Sequence, residues 1–144
     1  MKILGLLKAD ESSEANEPPS AELMAKMGEL IAEVTAAGVM LDTQGLKPSI
    51  EGKRVSLEGG KVTVTDGPFT ESKELVASYA LYQVDTWEDA VYWTTRFLEV
   101  LGKGECELRP LFDFEDFPPE LFPPEEVAKE QLVREQMLRN AGAE

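Results

Sequence analysis

Histidine is absent from this chain, and cysteine occurs once. Without histidine there is no imidazole base for a serine or cysteine nucleophile. The commonest ligand of zinc, copper and non-haem iron is missing as well. The lone Cys106 cannot close an intrachain disulfide, and between Glu105 and Glu107 it alternates inward as a small apolar residue. Basic residues are scarce: 14 Lys and Arg stand against 28 Asp and Glu, a net charge of −14. No basic stripe interrupts this field, so a phosphate backbone is repelled and nucleic-acid binding is not expected. Long hydrophobic runs are also missing. The apolar residues after Met1 give way at Lys8-Ala9-Asp10-Glu11, too short a run for a secretory signal or a membrane span. A cytoplasmic protein without membrane contact is the expectation. No glycine-rich phosphate loop and no metal-ligand spacing occur, so no cofactor is called for.

What remains suits one folded domain: 144 residues, 42% of them hydrophobic. Lys2 to Lys8 reads as a first strand, and Asp10 to Ser20 as a polar loop. Ser20 is a natural N-cap, with Glu22 placed in the first turn where the helix dipole favours it. Leu23, Met27, Leu30, Ile31 and Val34 recur at three- and four-residue spacing, an amphipathic helix stopped by Gly38. Val39 to Leu41 and Arg54 to Leu57 read as pieces of one second strand interrupted by a loop. Glu58-Gly59-Gly60 turns the chain into Lys61 to Thr65, a β-hairpin. Leu75 to Val84 reads as a long strand, and Thr86-Trp87-Glu88-Asp89 as a capping box opening a second helix. The apolar face of that helix takes in Ala90, Val91, Thr94, Phe97, Leu98 and Leu101, and Gly102 ends it. Glu105 to Phe112 is the last strand.

Between the hairpin and the long strand lies Asp66-Gly67-Pro68-Phe69-Thr70-Glu71-Ser72-Lys73-Glu74. Asp66 can begin a turn through its side chain. Gly67 relieves the restriction on a residue before proline. Pro68 removes a ladder donor and ends the strand, and Phe69 offers an apolar anchor. Two readings stand side by side. In one the segment is a strand-ending turn pinned by an aromatic plug. In the other it aims the Asp66 carboxylate into a cleft beside Glu71, Lys73 and Glu74.

This segment resembles the signature of the YCII-related proteins of the DGPF type. Ala37-Gly38-Val39, Gly45-Leu46-Lys47-Pro48 and Glu107-Leu108-Arg109-Pro110 agree with it in order. The element order β-α-β-β-β-α-β reads as an α+β fold, a ferredoxin-like split βαβ with an antiparallel sheet and a broken extra strand around the signature. The resemblance covers residues 1 to 112 and implies assembly as a dimeric α/β barrel. Residues 113 to 144 lie outside it, an acidic, Pro- and Phe-rich arm followed by a C-terminal helix from Pro123-Pro124 to about Asn140. This arm is the denser anionic part, with 9 acids and 3 bases in residues 112 to 144 against 19 and 11 in residues 1 to 111. The large apolar residues Phe112, Phe114, Phe117, Leu121 and Phe122 argue for order rather than a disordered tail.

A homodimer also follows from the residues. Val76, Ala80, Tyr82 and Val84 lie on one side of the long strand, and Leu75, Ala77, Tyr79 and Leu81 on the other. Ile3 and Leu7 likewise oppose Leu4 and Leu6. Both faces of the sheet are apolar, two helices cover one, and a second copy is the simplest cover for the other. The alternative cover is the C-terminal arm.

For chemistry, Asp66 is the candidate catalytic group. Asp66, Gly67, Pro68, Phe69, Glu71, Lys73, Glu74 and Arg109 form the candidate ligand site, within a cavity between sheet and helices. Arg109 reads first as a solvated strand residue; in the alternative its bidentate fork pins Asp66 or holds a ligand carboxylate. The wider family is associated with a paired histidine and aspartate. This chain keeps the aspartate and has no histidine, which leaves small-molecule binding or carboxylate-based proton transfer. The other functional class is a non-catalytic regulatory or interaction protein. The resemblance implies such a protein partner through an extracytoplasmic-function sigma factor. Whether the chain is an enzyme stays open at this level.

Overall fold

The computed structural model describes residues 1–71 and 74–142. The chain divides into two compact units, Met1–Leu111 and Phe112–Glu144. In the first, strand β1 (Lys2–Lys8) is followed by a one-turn helix α1 (Glu11–Glu14), helix α2 (Ala21–Ala36) and strand β2 (Met40–Gly45). A 3-10 turn (Ser49–Glu51) leads to β3 (Lys53–Glu58) and β4 (Lys61–Asp66), then β5 (Val76–Gln83), α3 (Trp87–Leu101) and β6 (Cys106–Pro110). Four strands form one antiparallel sheet in the order β2-β5-β1-β6, while β3 and β4 form a separate two-stranded sheet. The four-stranded order, with one helix after β1 and one after β5, is the ferredoxin-like split βαβ.

Local signals place the two long helices. The Ser20 hydroxyl accepts from Leu23 N at 3.1 Å, and the Thr86 hydroxyl from Asp89 N at 3.1 Å, so each helix begins where its cap sits. The apolar stripe of α2 buries Leu30 and Val34. These close over Ile3, Tyr82, Val84 and Ala90, with Met40, Trp93, Phe97 and Leu108 packed around them. Arg96 on α3 grips Glu33 on α2 through two bonds of 2.6 and 2.8 Å. That pairing holds the Glu33 carboxyl below its ordinary value. Both helices therefore cover the same side of the sheet.

Three expectations need correction. The second strand is not one interrupted element. Met40–Gly45 joins the main sheet beside β5, whereas Lys53–Glu58 leaves it and pairs with β4 alone. Pro48 cannot donate, and the bonds Glu51 N to Pro48 O and Gly52 N to Ser49 O fold the chain into the 3-10 turn that redirects it. The loop after β1 contains helix α1, because Asp10 and Ser13 cap each other with two bonds of 2.9 Å. Ser13 stands where a capping box usually has Glu or Gln, which hides the motif. On α3, Val91 is 51% exposed, and Trp93 and Val100 face the core instead.

The Gly59-Gly60 turn has φ of 56° and 77°, both in the left-handed region that a two-residue hairpin of this twist demands. In the second unit, Phe112, Phe117, Phe122 and Phe114 form a chain of ring contacts with centroids 5.1 to 5.6 Å apart. They precede helix α4 (Pro124–Gly142), and the arm is ordered around these rings rather than extended. Among the described residues no helix is long and apolar enough to cross a membrane.

Two glycines are expected to respond oppositely to alanine. A Cβ on Gly67 would lie 1.7 Å from the Ser49 carbonyl oxygen, so Gly67→Ala should destabilise the fold by more than about 1 kcal/mol. Gly28, inside α2, meets nothing within 4 Å, and Gly28→Ala should stabilise by about 0.5–1 kcal/mol. Denaturant unfolding of the two variants beside the wild type checks both signs.

Candidate ligand-binding face

The signature turn is a joint. Asp66 ends β4 opposite Lys53 and pairs with its ammonium, both side chains being mostly exposed. Gly67 N donates to Gly52 O at 3.0 Å, and the Gly67–Pro68 peptide is cis. Phe69 N donates to the Ser49 hydroxyl at 3.0 Å. Ser49 in turn donates through its backbone N–H and its hydroxyl to the two carboxylate oxygens of Glu14. The Arg54 guanidinium lies 4.0 Å over the Phe69 ring. The segment thus clamps the hairpin, the 3-10 turn and α1 together. Glu71 and Glu74 follow on the surface, Glu74 N donating to Glu71 O at 2.9 Å. Lys73 lies outside the described residues. The alternative contact between Arg109 and Asp66 is not the one formed. Arg109 on β6 pairs with Glu107 at 3.2 Å.

The enclosed space between sheet and helices lies away from this turn. It measures about 30 Å³ and is lined by Gly5, Met40, Ser78, Tyr82, Thr94 and Cys106 among others, with no described residue of the signature. That volume holds about one water molecule. Burial pushes both the Tyr82 phenol and the Cys106 thiol up, the former partly offset by the neighbouring Thr94 hydroxyl. Cys106 is therefore protonated and a poor nucleophile at neutral pH. Among the described residues no three Cys, Asp or Glu side chains come together as a metal site.

A richer arrangement occupies the sheet face opposite the helices. Since Ile3, Ala80, Tyr82 and Leu108 belong to the helix-covered core, pleating sends their neighbours to the other side. Register then sets out two rows across the four strands. One row reads Gln44, Tyr79, Leu6, Glu107, and the other Asp42, Leu81, Leu4, Arg109. Leu4, Leu6 and Leu81 form a partly exposed apolar floor. At one side the Tyr79 hydroxyl donates to Asp42 at 2.9 Å. At the other, Glu107 accepts from Arg109 at 3.2 Å and lies 3.4 Å from Lys8. Two strand spacings, about 10 Å, separate the poles.

The Asp42 carboxylate beside it raises the Tyr79 phenol, which keeps the proton and acts as a donor. The Arg109 guanidinium, and then Lys8, hold the Glu107 carboxyl below its ordinary range. One carboxylate shared by two cations leaves that pole with a surplus positive charge and free N–H donors. Sequence reasoning named Arg109 from this face and read Tyr79 as a packing residue. Asp42 and Lys8 were missed, since only the strand register brings them to this face, and Glu107, beside Arg109 on the same strand face, was passed over.

Residues 1–115 match the YCII-related domain as a family. The chain belongs to the YCII-related family. No curated protein matches it. Among solved structures it is similar to 5-chloro-2-hydroxyhydroquinone dehydrochlorinase (TftG) from Burkholderia phenoliruptrix AC1100, in complex with 2,5-dihydroxybenzoquinone. The two chains are 12% identical over 82% of this chain and 100% of that one, with a TM-score of 0.46.

The Glu107 cluster carries a pH signature. Its lowered folded value means that its stabilising contribution is present above the ordinary 4.5 and is lost as pH falls through the folded value. Glu107→Gln should therefore cost stability at about pH 6 and much less at about pH 3. Melting temperatures of both proteins across that range check it, a pH-independent difference being the contrary result.

Proposed function

We propose that this YCII-related protein binds a small organic acid on the open sheet face, in a chamber closed by a second copy of the chain as a dimeric α/β barrel. One observation carries the reading: an apolar floor flanked by a hydrogen-bonding pole, Tyr79–Asp42, and a cationic pole, Lys8–Glu107–Arg109. Binding sites combine such apolar lining with a few convergent polar groups. Arg109 uses its remaining N–H groups on a ligand carboxylate, and Tyr79 presents its oxygen to a hydroxyl or amine at the far end. The apolar floor takes a single ring or short chain between them. Any proton transfer rests on Asp42 acting through Tyr79, as no imidazole exists in the chain. Asp66 has no part in this reading, since its carboxylate is exposed and engaged with Lys53.

The interaction reading keeps one specific support. In the C-terminal unit, α4 leaves Leu132 and Leu138 64% and 73% exposed, a surface suited to a protein partner. The two readings separate in a thermal-shift titration with 4-hydroxybenzoate. Stabilisation of the wild type is expected, and Arg109→Gln and Tyr79→Phe should each abolish it while leaving the unliganded melting temperature nearly unchanged. Loss of stabilisation in Asp66→Asn alone would return the site to the signature turn. No stabilisation of the wild type at millimolar ligand favours the interaction reading.

A further inference from the structure

The β3–β4 hairpin carries a second unpartnered surface. Cross-strand pairs Val55–Val64 and Leu57–Val62 lie on one of its faces, and Arg54–Thr65, Ser56–Thr63 and Glu58–Lys61 on the other. The four apolar side chains are 70%, 55%, 72% and 60% exposed, in that order. Its attachment to its own subunit runs through the polar face, where Arg54 stacks on Phe69. The apolar ladder is left turned to solvent. A two-stranded sheet alone is marginal in water, and β-branched residues in such a ladder need a surface to pack on.

Resting on the dimer reading above, we infer that this hairpin is an arm that lies along the open sheet face of a second copy, at the rim of the chamber. Area selects that occupant, and charge does not oppose it. Residues 53–66 hold three bases and two acids, whereas the other 130 residues hold 11 bases and 26 acids. The arm carries a net charge of +1 in a chain of net −14, so its approach to a second copy is not opposed by like charge. The ladder offers roughly 400 Å² of apolar surface, the upper range for a monomer. In a two-fold pair each subunit gives one arm and receives another. That doubles the area to the roughly 800 Å² per partner that a stable dimer uses. The apolar ladder packs at the rim of that face and leaves Leu4, Leu6 and Leu81 of the facing subunit as the chamber floor, while Arg54 and Lys61 stay toward solvent.

Hydrogen exchange of the wild-type chain, from low-nanomolar to sub-millimolar concentration, tests the arm. Amides of residues 53–66 should gain protection as the chain associates. The combined variant Val55→Thr, Leu57→Thr, Val62→Thr, Val64→Thr keeps strand propensity and removes the ladder, and its dimer dissociation constant should rise at least about tenfold. A chain that dimerises with exchange in 53–66 independent of concentration overturns the arm and leaves the dimer standing. So does a folded variant that dimerises with wild-type affinity. A wild type that stays monomeric throughout overturns both. The exchange measurement needs no substitution, so it decides between these outcomes even where the variant fails to fold.

Discussion

Two helices can cover only one face of a four-stranded sheet. Everything distinctive in the first unit follows from that constraint. On the covered side the chain behaves as an ordinary core, with Ile3 fully buried beneath α2 and α3 and Arg96 tying the helices together. On the uncovered side the strands still alternate, and their second set of side chains has to meet something. Leu4, Leu6 and Leu81 are too apolar for a solvated face, while Tyr79, Asp42, Glu107 and Arg109 are too polar for a plain packing surface. Apolar floor and polar rim together are the ground for proposing a binding surface closed by a second copy.

The signature turn serves that arrangement from a distance. Gly67 approaches the Ser49 carbonyl so closely that no side chain fits, and Phe69 and Glu14 fix Ser49 from two further directions. The result sets where β3 and β4 leave the main sheet and how the hairpin is held. Its value is geometric. A short segment with a strong sequence pattern here holds the β3–β4 hairpin, and the polar rows of the open face lie on strands whose own sequences attract little notice.

What could be read from the residues was local. Ser20, Thr86 and Gly102 sit at helix ends where caps belong, and the spacing of Leu23, Leu30 and Val34 foretells the buried stripe of α2. The ferredoxin-like order also followed, because β1, β5 and both helices have clear periods. Contacts remote in sequence were hidden. Glu14 meets Ser49 across 35 residues, and Tyr79 meets Asp42 across 37. The separate sheet of β3 and β4 was misread for the same reason, since the bend at Ser49 is held by Gly67 and Phe69 far along the chain. Arg109 was picked out, but its pairing with Glu107 rather than with Asp66 was not foreseen. Glu107, two residues away on the same strand face, was within reach of pattern reasoning, whereas Lys8 needed the β1–β6 register.

The central claim is that a second copy of the chain covers the open face. Sedimentation velocity at low-micromolar concentration tests it most directly. A single species at twice the 15.9 kDa chain mass is the predicted result. A soluble, unaggregated species at 15.9 kDa that persists on concentration contradicts it.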